Sequence, residues 1–494
     1  MVSLRIHGQF HSRQTTAWHI VPVVTLIFSL MPVSVIAQDR PNIVFVLMDD
    51  LDRATVTALP PVMPNVSQRI ATAGATFTRA FANVPLCAPS RATILTGRYG
   101  QNTKVRQNWY PPFHVNGAER STVAVWLKAA GYRTALFGKY LNGYPDRLPS
   151  ITPTFVPPGW TDWAVPVASD AASYTLNENG RLVAYDQGNA ADYFTDVLAR
   201  KSLDFVRSAA QSGAPFFLML TPTAPHRPAI PAPRHAKLFT DKPLPQGVSF
   251  NEADVDDKPP FLRLPAITPA RIRSMEQLYR QRLRSLQAVD EAVRDLHALI
   301  QSLGLASRTY FVVTSDNGFH QGQHRLTDGM GGGKETGFAE DLHLPLLVSG
   351  PGIPPGLQVH GLVTLADLAP TFAAWASAGP APRVDGRSLV PLLRAGPPPA
   401  WRNWLPLRHL KPSGAGATNP AQTFLGVRTA GYSYLEYPDY GLRDLYDMQA
   451  DPWQLVNLAT VADPGLLARL SQATTALAAC SGSSCWSLED APAP

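Results

Sequence analysis

Several short apolar runs in this chain stop abruptly at polar or acidic residues, and this punctuation restricts the fold more than any other feature. Residues 41–48 read PNIVFVLM and stop at Asp49-Asp50. Residues 132–137 stop at Gly138-Lys139, and residues 310–314 stop at Ser315-Asp316-Asn317. Residues 215–220 and 344–348 are runs of the same kind, the last lying before a Pro-Gly turn at 351–352. Runs this short, rich in β-branched residues and without polar alternation, predict strands buried on both faces. Helical patterns lie between them, at 192–210 and from 270 to about 303. Another is expected after Ser121 or Thr122 as a cap, with Val123, Val125, Trp126 and Ala129 facing inward and Gly131 as the stop. Strands alternating with helices predict an α/β fold: a large, mainly parallel sheet sandwiched by helices. Such sheets collect ligands beyond the C-terminal ends of their strands, where these polar residues fall.

The chain has 494 residues, enough for one large domain and a small one. The cluster AGPPPAW at 395–401 reads as a linker. It divides a main domain, 38–395, from a small α+β domain, 396–494, with strand-like segments GVRTAGYSYLEY and LRDLYDM and a helix from Pro464 to Ala479. The formal charge of +6 is spread along the chain without a Lys/Arg block, so no nucleic-acid partner is expected. A weakly basic surface also suits a small anionic substrate.

Residues 1–37 read as a signal peptide. Arg5 and Arg13 precede an apolar stretch from Ile20 to Val33, and Val35 and Ala37 place cleavage before Gln38. That stretch is shorter than the roughly 20 residues a membrane span needs, and Pro32 interrupts it, so export to the periplasm or medium is expected, without a stable membrane anchor. Of three cysteines, Cys480 and Cys485 are expected to form a local disulfide in an oxidising compartment. Cys87 is then unpaired, and is either buried and inert or chemically special.

Asp49, Asp50, Asp316 and Asn317 are hard oxygen donors at strand ends, suited to Ca²⁺ or Mg²⁺. Singly, each is more often a turn or cap residue. The segment Cys87-Ala88-Pro89-Ser90-Arg91, continuing to Leu95-Thr96-Gly97, resembles the sulfatase signature C-x-P-S-R-x-x-x-L-T-G at every fixed position. Gly131-Tyr132-x-Thr134-x-x-x-Gly138-Lys139 resembles the family's second signature, and Ala224-Pro225-His226-x-Pro228 its histidine loop. The resemblance runs from Pro41 to about Leu458 and implies an alkaline-phosphatase-like α/β fold with a small C-terminal domain.

It also implies a chemistry. Cys87 would be oxidised to formylglycine by a dedicated maturation enzyme. In the family mechanism the aldehyde hydrate attacks sulfur, and the second hydroxyl then expels sulfate, splitting one hard hydrolysis into two easier steps. By the same resemblance Asp49, Asp50, Asp316, Asn317 and modified Cys87 hold the metal, with Ca²⁺ favoured and Mg²⁺ allowed. Arg91 holds the diol, Lys139 and Lys334 bind sulfate oxygens, and His226 contacts the sulfate and protonates the leaving oxygen.

The chain departs from the family pattern in two places. Many sulfatases have G-K-W-H where this chain reads Gly138-Lys139-Tyr140-Leu141-Asn142, so the desulfation base is missing there. The Lys-Tyr-Leu-Asn form resembles the N-acetylglucosamine-6-sulfatase and endosulfatase branch, which makes Asn142 a substrate-binding candidate and a sulfated glycan the expected substrate. His320 and His324 are alternative bases, with packing roles equally open. Phe338-Ala339 stands where the family has Tyr-Glu, a change expected to touch the pocket wall. The competing readings are an arylsulfatase, a phosphonate or phosphate ester hydrolase on the same scaffold, and a glycan-binding protein with a dead site.

Overall fold

In the computed structural model the apolar runs form the middle of a ten-stranded sheet. Described residues are 40–494, except 58–60, 146–147, 149–150, 170–172, 329–332, 380–382, 397–399, 412–413, 415 and 417; of residues 1–39 only 11, 12 and 14 are described. The signal-peptide expectation lies outside the described residues, and the linker expectation partly so. Among the described residues no helix is long and apolar enough to cross a membrane.

Five parallel strands lie side by side at the centre: Thr309–Ser315, Asn42–Met48, Phe216–Thr221, Arg133–Gly138 and Asp162–Ser169. Asn42–Met48 shows why the run is apolar throughout. Ile43, Phe45 and Leu47 enter one hydrophobic core, and Val44, Val46 and Met48 enter another on the opposite face. The first core includes the helices Val123–Ala129 and Leu368–Trp375, with the Phe45 and Phe372 rings 5.2 Å apart. The second is covered by Phe194–Ser212 and Pro269–Ser302. Each face thus buries alternate residues of one strand.

The sheet extends further than the apolar runs foretell. Asp162–Ser169, Ser173–Glu178 and Arg181–Asp186 form an antiparallel meander at one edge. Pro166, inside the first of these, weakens its strand signal. At the other edge Leu346–Ser349 pairs antiparallel to Thr309–Ser315, and Ala75–Phe77 and Leu357–Val359 follow.

The C-terminal region contains a four-stranded antiparallel sheet ordered Leu405–His409, Phe424–Arg428, Tyr432–Tyr437 and Leu442–Asp447. The segment GVRTAGYSYLEY, read as a single strand-like stretch, divides into two strands at Thr429–Gly431. The Pro464–Ala479 helix forms, and Cys480 and Cys485 are disulfide-bonded just beyond it. Arg40–Pro494 is one compact unit, and buried ion pairs tie the C-terminal elements to the rest. Arg402 makes two bonds to Asp367, of 2.7 and 2.8 Å, and lies 3.0 Å from Glu489.

Candidate active site

Parallel alignment places the residues that follow the central strands at one sheet edge. Asp49 and Asp50 follow Asn42–Met48, Asp316 and Asn317 follow Thr309–Ser315, and Lys139 follows Arg133–Gly138. His226 lies beyond Phe216–Thr221, where Asp49 N–H donates to Ala224 O (3.2 Å). Gly138 is required at its position: it has φ +116°, and a Cβ there would lie 2.1 Å from Thr221 O. Gly318 likewise meets the backbone, since its Cβ would lie 1.8 Å from Glu340 O.

Cys87 is the first residue of the Cys87–Thr96 helix, every residue of which is buried. Its Sγ lies 3.5 Å from Asp49 Oδ1 and 4.0 Å from Asp50 Oδ1, and accepts from Lys334 Nζ at 2.9 Å. One turn on, Arg91 Nε donates to Asp316 Oδ2 (2.7 Å) and Nη1 to Lys139 O (2.7 Å). Its Nη2 is buried without a hydrogen-bond partner, 4.0 Å from Asp49 Oδ2. Lys139 Nζ donates to Asp49 Oδ2 and Lys334 Nζ to Asp50 Oδ1, both at 2.6 Å. Asn317 Nδ2 donates to Asp50 Oδ1 (2.7 Å), while its Oδ1 is buried with no partner. His226 Nε2 lies 3.6 Å from Asp50 Oδ2. Its Nδ1 sits 2.6 Å from Arg227 O, a carbonyl that can only accept, so Nδ1 carries the hydrogen.

Three carboxylates and three permanent cations share this nearly dry space. Burial alone would raise Asp49, but Lys139, His226, Arg91 and Lys334 hold it well below the usual carboxylate range. Burial opposes ionisation of Asp50 as well, and Lys334 and His226 prevail there too. Asp316 goes the other way, raised by burial and by neighbouring Asp49. Burial disfavours the Lys334 charge, but Asp50 leads the neighbours that raise it well above an ordinary lysine. Burial pushes the Cys87 thiol up to about 12 against the pull of Lys139 and Lys334. As a plain thiol, Cys87 would stay protonated and unreactive.

One donor atom each from Asp49, Asp50, Cys87 and Asp316 lie within 4.8 Å of one another. The three carboxylates and the orphaned Asn317 Oδ1 are hard oxygen donors that fit a divalent cation such as Ca²⁺ or Mg²⁺, whereas the Cys87 sulfur is a soft donor that does not.

The remaining candidates are Asn142, His320 and His324. Asn142 lines a cavity of about 540 Å³ that opens beside Lys139 and His226. His320 is buried against Thr336 Oγ1 (3.1 Å) and Asp341 Oδ1 (3.2 Å). His324 pairs with Glu252 Oε2 (2.7 Å) and stacks on Phe338 with ring centroids 3.8 Å apart. None of these contacts reaches the Cys87 cluster. Phe338, at the family's Tyr position, thus packs against His324.

Sequence reasoning overlooked Arg282. On the Pro269–Ser302 helix its guanidinium donates to Asp50 O (2.6 Å), Pro225 O (3.1 Å) and Asp52 Oδ2 (3.0 Å), and lies 4.4 Å from the Phe319 ring centroid. It fastens the Asp49-Asp50 turn to the histidine loop. The available signal was an arginine within the apolar stripe Tyr279, Leu283, Leu286, Val289 and Val293.

The chain is similar to known proteins over most of its length. The family model "Sulfatase" matches residues 41–378, and the model "N-sulphoglucosamine sulphohydrolase, C-terminal" matches 331–475. N-acetylglucosamine-6-sulfatase of Homo sapiens is 32% identical, over 90% of this chain and 86% of that one. An arylsulfatase of Volvox carteri is 31% identical, over 91% and 76%. An extracellular sulfatase SULF-1 homolog of Drosophila melanogaster is 35% identical over 72% of this chain, which spans 31% of that longer protein's length; for the corresponding Caenorhabditis elegans protein, 34% identical over 74% of this chain, the share is 52%. Two solved structures share the fold. One protein, in complex with its substrate D-glucosamine-2-N,6-O-disulfate, superposes with a TM-score of 0.71 at 24% identity, covering 88% of this chain and 97% of that one. A phosphonate monoester hydrolase of Silicibacter pomeroyi gives 0.68 at 22%, covering 87% and 93%. The chain belongs to the sulfatase family of sulfuric ester hydrolases.

Proposed function

We propose that the protein hydrolyses a sulfate monoester of a carbohydrate, of the N-acetylglucosamine 6-sulfate type, in an exported compartment. The observation that carries this reading is the meeting of Cys87, three carboxylates, two lysines and Arg91 at one sheet edge, beside a cavity large enough for a sugar. Cys87 is the residue converted to formylglycine, whose hydrated aldehyde supplies the nucleophile. Asp49, Asp50, Asp316 and Asn317, together with modified Cys87, hold a divalent cation. Calcium is favoured by family resemblance, although these ligand types also admit magnesium. A bound cation would supply positive charge opposite the sulfate oxygens.

The chain's own groups do the rest. Lys139 and Lys334, both charged at neutral pH, bind sulfate oxygens and offset the charge that repels a nucleophile. Arg91 Nη2, lacking a hydrogen-bond partner, donates to the hydrated nucleophile. His226 is the acid for the leaving oxygen. Its Nδ1 is anchored on the Arg227 carbonyl, so a proton delivered to the substrate leaves from Nε2. A sugar alkoxide needs that proton far more than a phenoxide does. Asn142 contacts the sugar. Support for a carbohydrate over an aryl substrate comes from the human relative's name and from the Lys139-Tyr140-Leu141-Asn142 segment.

The test joins modification to turnover. Mass spectrometry of the Cys87 peptide from active protein should show a hydrazine-reactive aldehyde, and N-acetylglucosamine 6-sulfate should be hydrolysed. Full activity with an unmodified thiol would overturn the mechanism. Turnover of aryl sulfates with no 6-sulfated amino sugar accepted would make the protein an arylsulfatase, and faster phosphonate than sulfate ester cleavage would place it with the phosphonate hydrolases.

A further inference from the structure

Lys334 reaches Asp50 and the Cys87 sulfur from a turn in the segment between Thr309–Ser315 and Ala339–Leu342. The next residue, Glu335, has φ +76°, a left-handed backbone that a non-glycine residue keeps only where its surroundings fix it. Local contacts do part of this. His320 N–H donates to Gly333 O (2.7 Å), and Thr336 donates to Asp341 Oδ2 from its N–H (2.8 Å) and from Oγ1 (2.6 Å). With its one hydroxyl hydrogen on Asp341, Thr336 Oγ1 accepts from His320 Nε2 at 3.1 Å.

The C-terminal sheet grips the same turn from another side. His409, the last residue of Leu405–His409, is fully buried, and its Nε2 lies 3.3 Å from Glu335 Oε2. Both atoms are buried without a hydrogen-bond partner, so each offsets the cost of burying the other. The ring is aimed from its opposite edge. Its Nδ1 lies 3.0 Å from Gln422 O, which can only accept, so Nδ1 carries a hydrogen and Nε2 is left for Glu335. Further along, the Phe338 and Tyr446 ring centroids are 6.1 Å apart, and Ala339 N–H donates to Gln454 Oε1 (2.7 Å). Lys334 thus immediately precedes a residue whose carboxylate is tied to the C-terminal sheet.

We propose that the C-terminal sheet holds Lys334 against Asp50 and Cys87, with His409 as a positioning residue that acts through Glu335. A lysine carries its charge on a flexible four-carbon stem, so where the ammonium sits depends on how firmly its backbone is held. The sheet supplies none of the groups of the Cys87 cluster described above, yet by this route it sets the place of one of them. The inference rests on the sulfatase reading for what Lys334 binds, but not for what holds Lys334.

Lysine acylation followed by mass spectrometry of the full chain tests this without turnover. Asparagine can keep the bond of Nδ1 to Gln422 O but cannot reach Glu335, whereas glutamine can place an N–H where Nε2 stands. Acylation of Lys334 should therefore rise about tenfold in Glu335→Gln and His409→Asn, and return to within about threefold of wild type in His409→Gln. Lys139, held by Asp49 instead of by this turn, should keep its wild-type rate in all three. Glu335→Gln preserves the shape of the side chain and carries the test if His409→Asn does not fold. Lys334 acylation within about twofold of wild type in the variants that fold, or Lys139 rising in step with Lys334, would overturn the proposal. So would equal acylation in His409→Asn and His409→Gln. In matured protein, kcat/KM for N-acetylglucosamine 6-sulfate should fall where Lys334 acylation rises and recover in His409→Gln. No turnover of that ester by wild type, with the acylation pattern as expected, would strike the sulfatase reading and leave the positioning in place.

Discussion

Replacing Arg282 with methionine tests whether the sheet-edge cluster is held from behind. Methionine keeps much of the side-chain volume, so the change isolates the guanidinium. That group is 1% exposed and bonds Asp50 O, Pro225 O and Asp52 Oδ2 at 2.6, 3.1 and 3.0 Å. Removing one partner of a buried ion pair costs about 3–5 kcal/mol. Asp52 would keep three donors, Thr55 N at 2.7 Å, Thr55 Oγ1 at 2.8 Å and Gln321 Nε2 at 3.0 Å, which places the loss near the lower end. About 3 kcal/mol is roughly a 150-fold fall in the folded-to-unfolded ratio. Activity should fall as well, because Asp50 and the histidine loop lose their common anchor, and a misplacement of about 1 Å costs on the order of 100-fold in rate. Urea denaturation would read the first effect and kcat/KM the second, with Arg282→Lys recovering part of both. A stability change below about 1 kcal/mol with kcat/KM within twofold of wild type would refute the positioning role, since it would mean that water replaces the guanidinium at no cost.

Chelation to a verified metal-free state, or Asp316→Ala, should abolish turnover while leaving circular dichroism unchanged, and a metal-free enzyme that keeps its rate would remove the cation from the mechanism. His320→Ala and His324→Ala should not accumulate a sulfated enzyme in rapid-quench mass spectrometry, because both rings are committed to packing and carboxylate contacts away from Cys87. Burial favours the protonated form of Glu340, but His324 and then His320 pull it down to about 2. Its folded pKa is therefore below the unfolded value, so its stabilisation is complete above about pH 4.5 and is lost as pH falls toward 2. Glu340→Gln should flatten the acid limb of a urea-midpoint profile over that window, and an unchanged slope would contradict the pairing.

The central strands and their polar ends were legible in the sequence, because a strand buried on both faces must be apolar along its whole length. The edge meander was not. Its strands are partly exposed, Pro166 interrupts the first, and their pairing rests on tertiary neighbours. Cys87 stood out through a long signature, and Asp49-Asp50 and Asp316-Asn317 through their positions at strand ends. Lys334 was a candidate through the family resemblance alone, and the tertiary structure is what brings it to the Cys87 sulfur, since no periodic pattern links residues 247 positions apart. It also decided between roles the sequence left open. His320 and His324 share a short motif near Asp316-Asn317, but their rings face Asp341, Glu252 and Phe338. Arg282 shows the same limit from the other side. A local sequence records which residue types a helix carries, whereas the use of a buried charge depends on which carbonyls and carboxylates the fold places within about 3 Å of it.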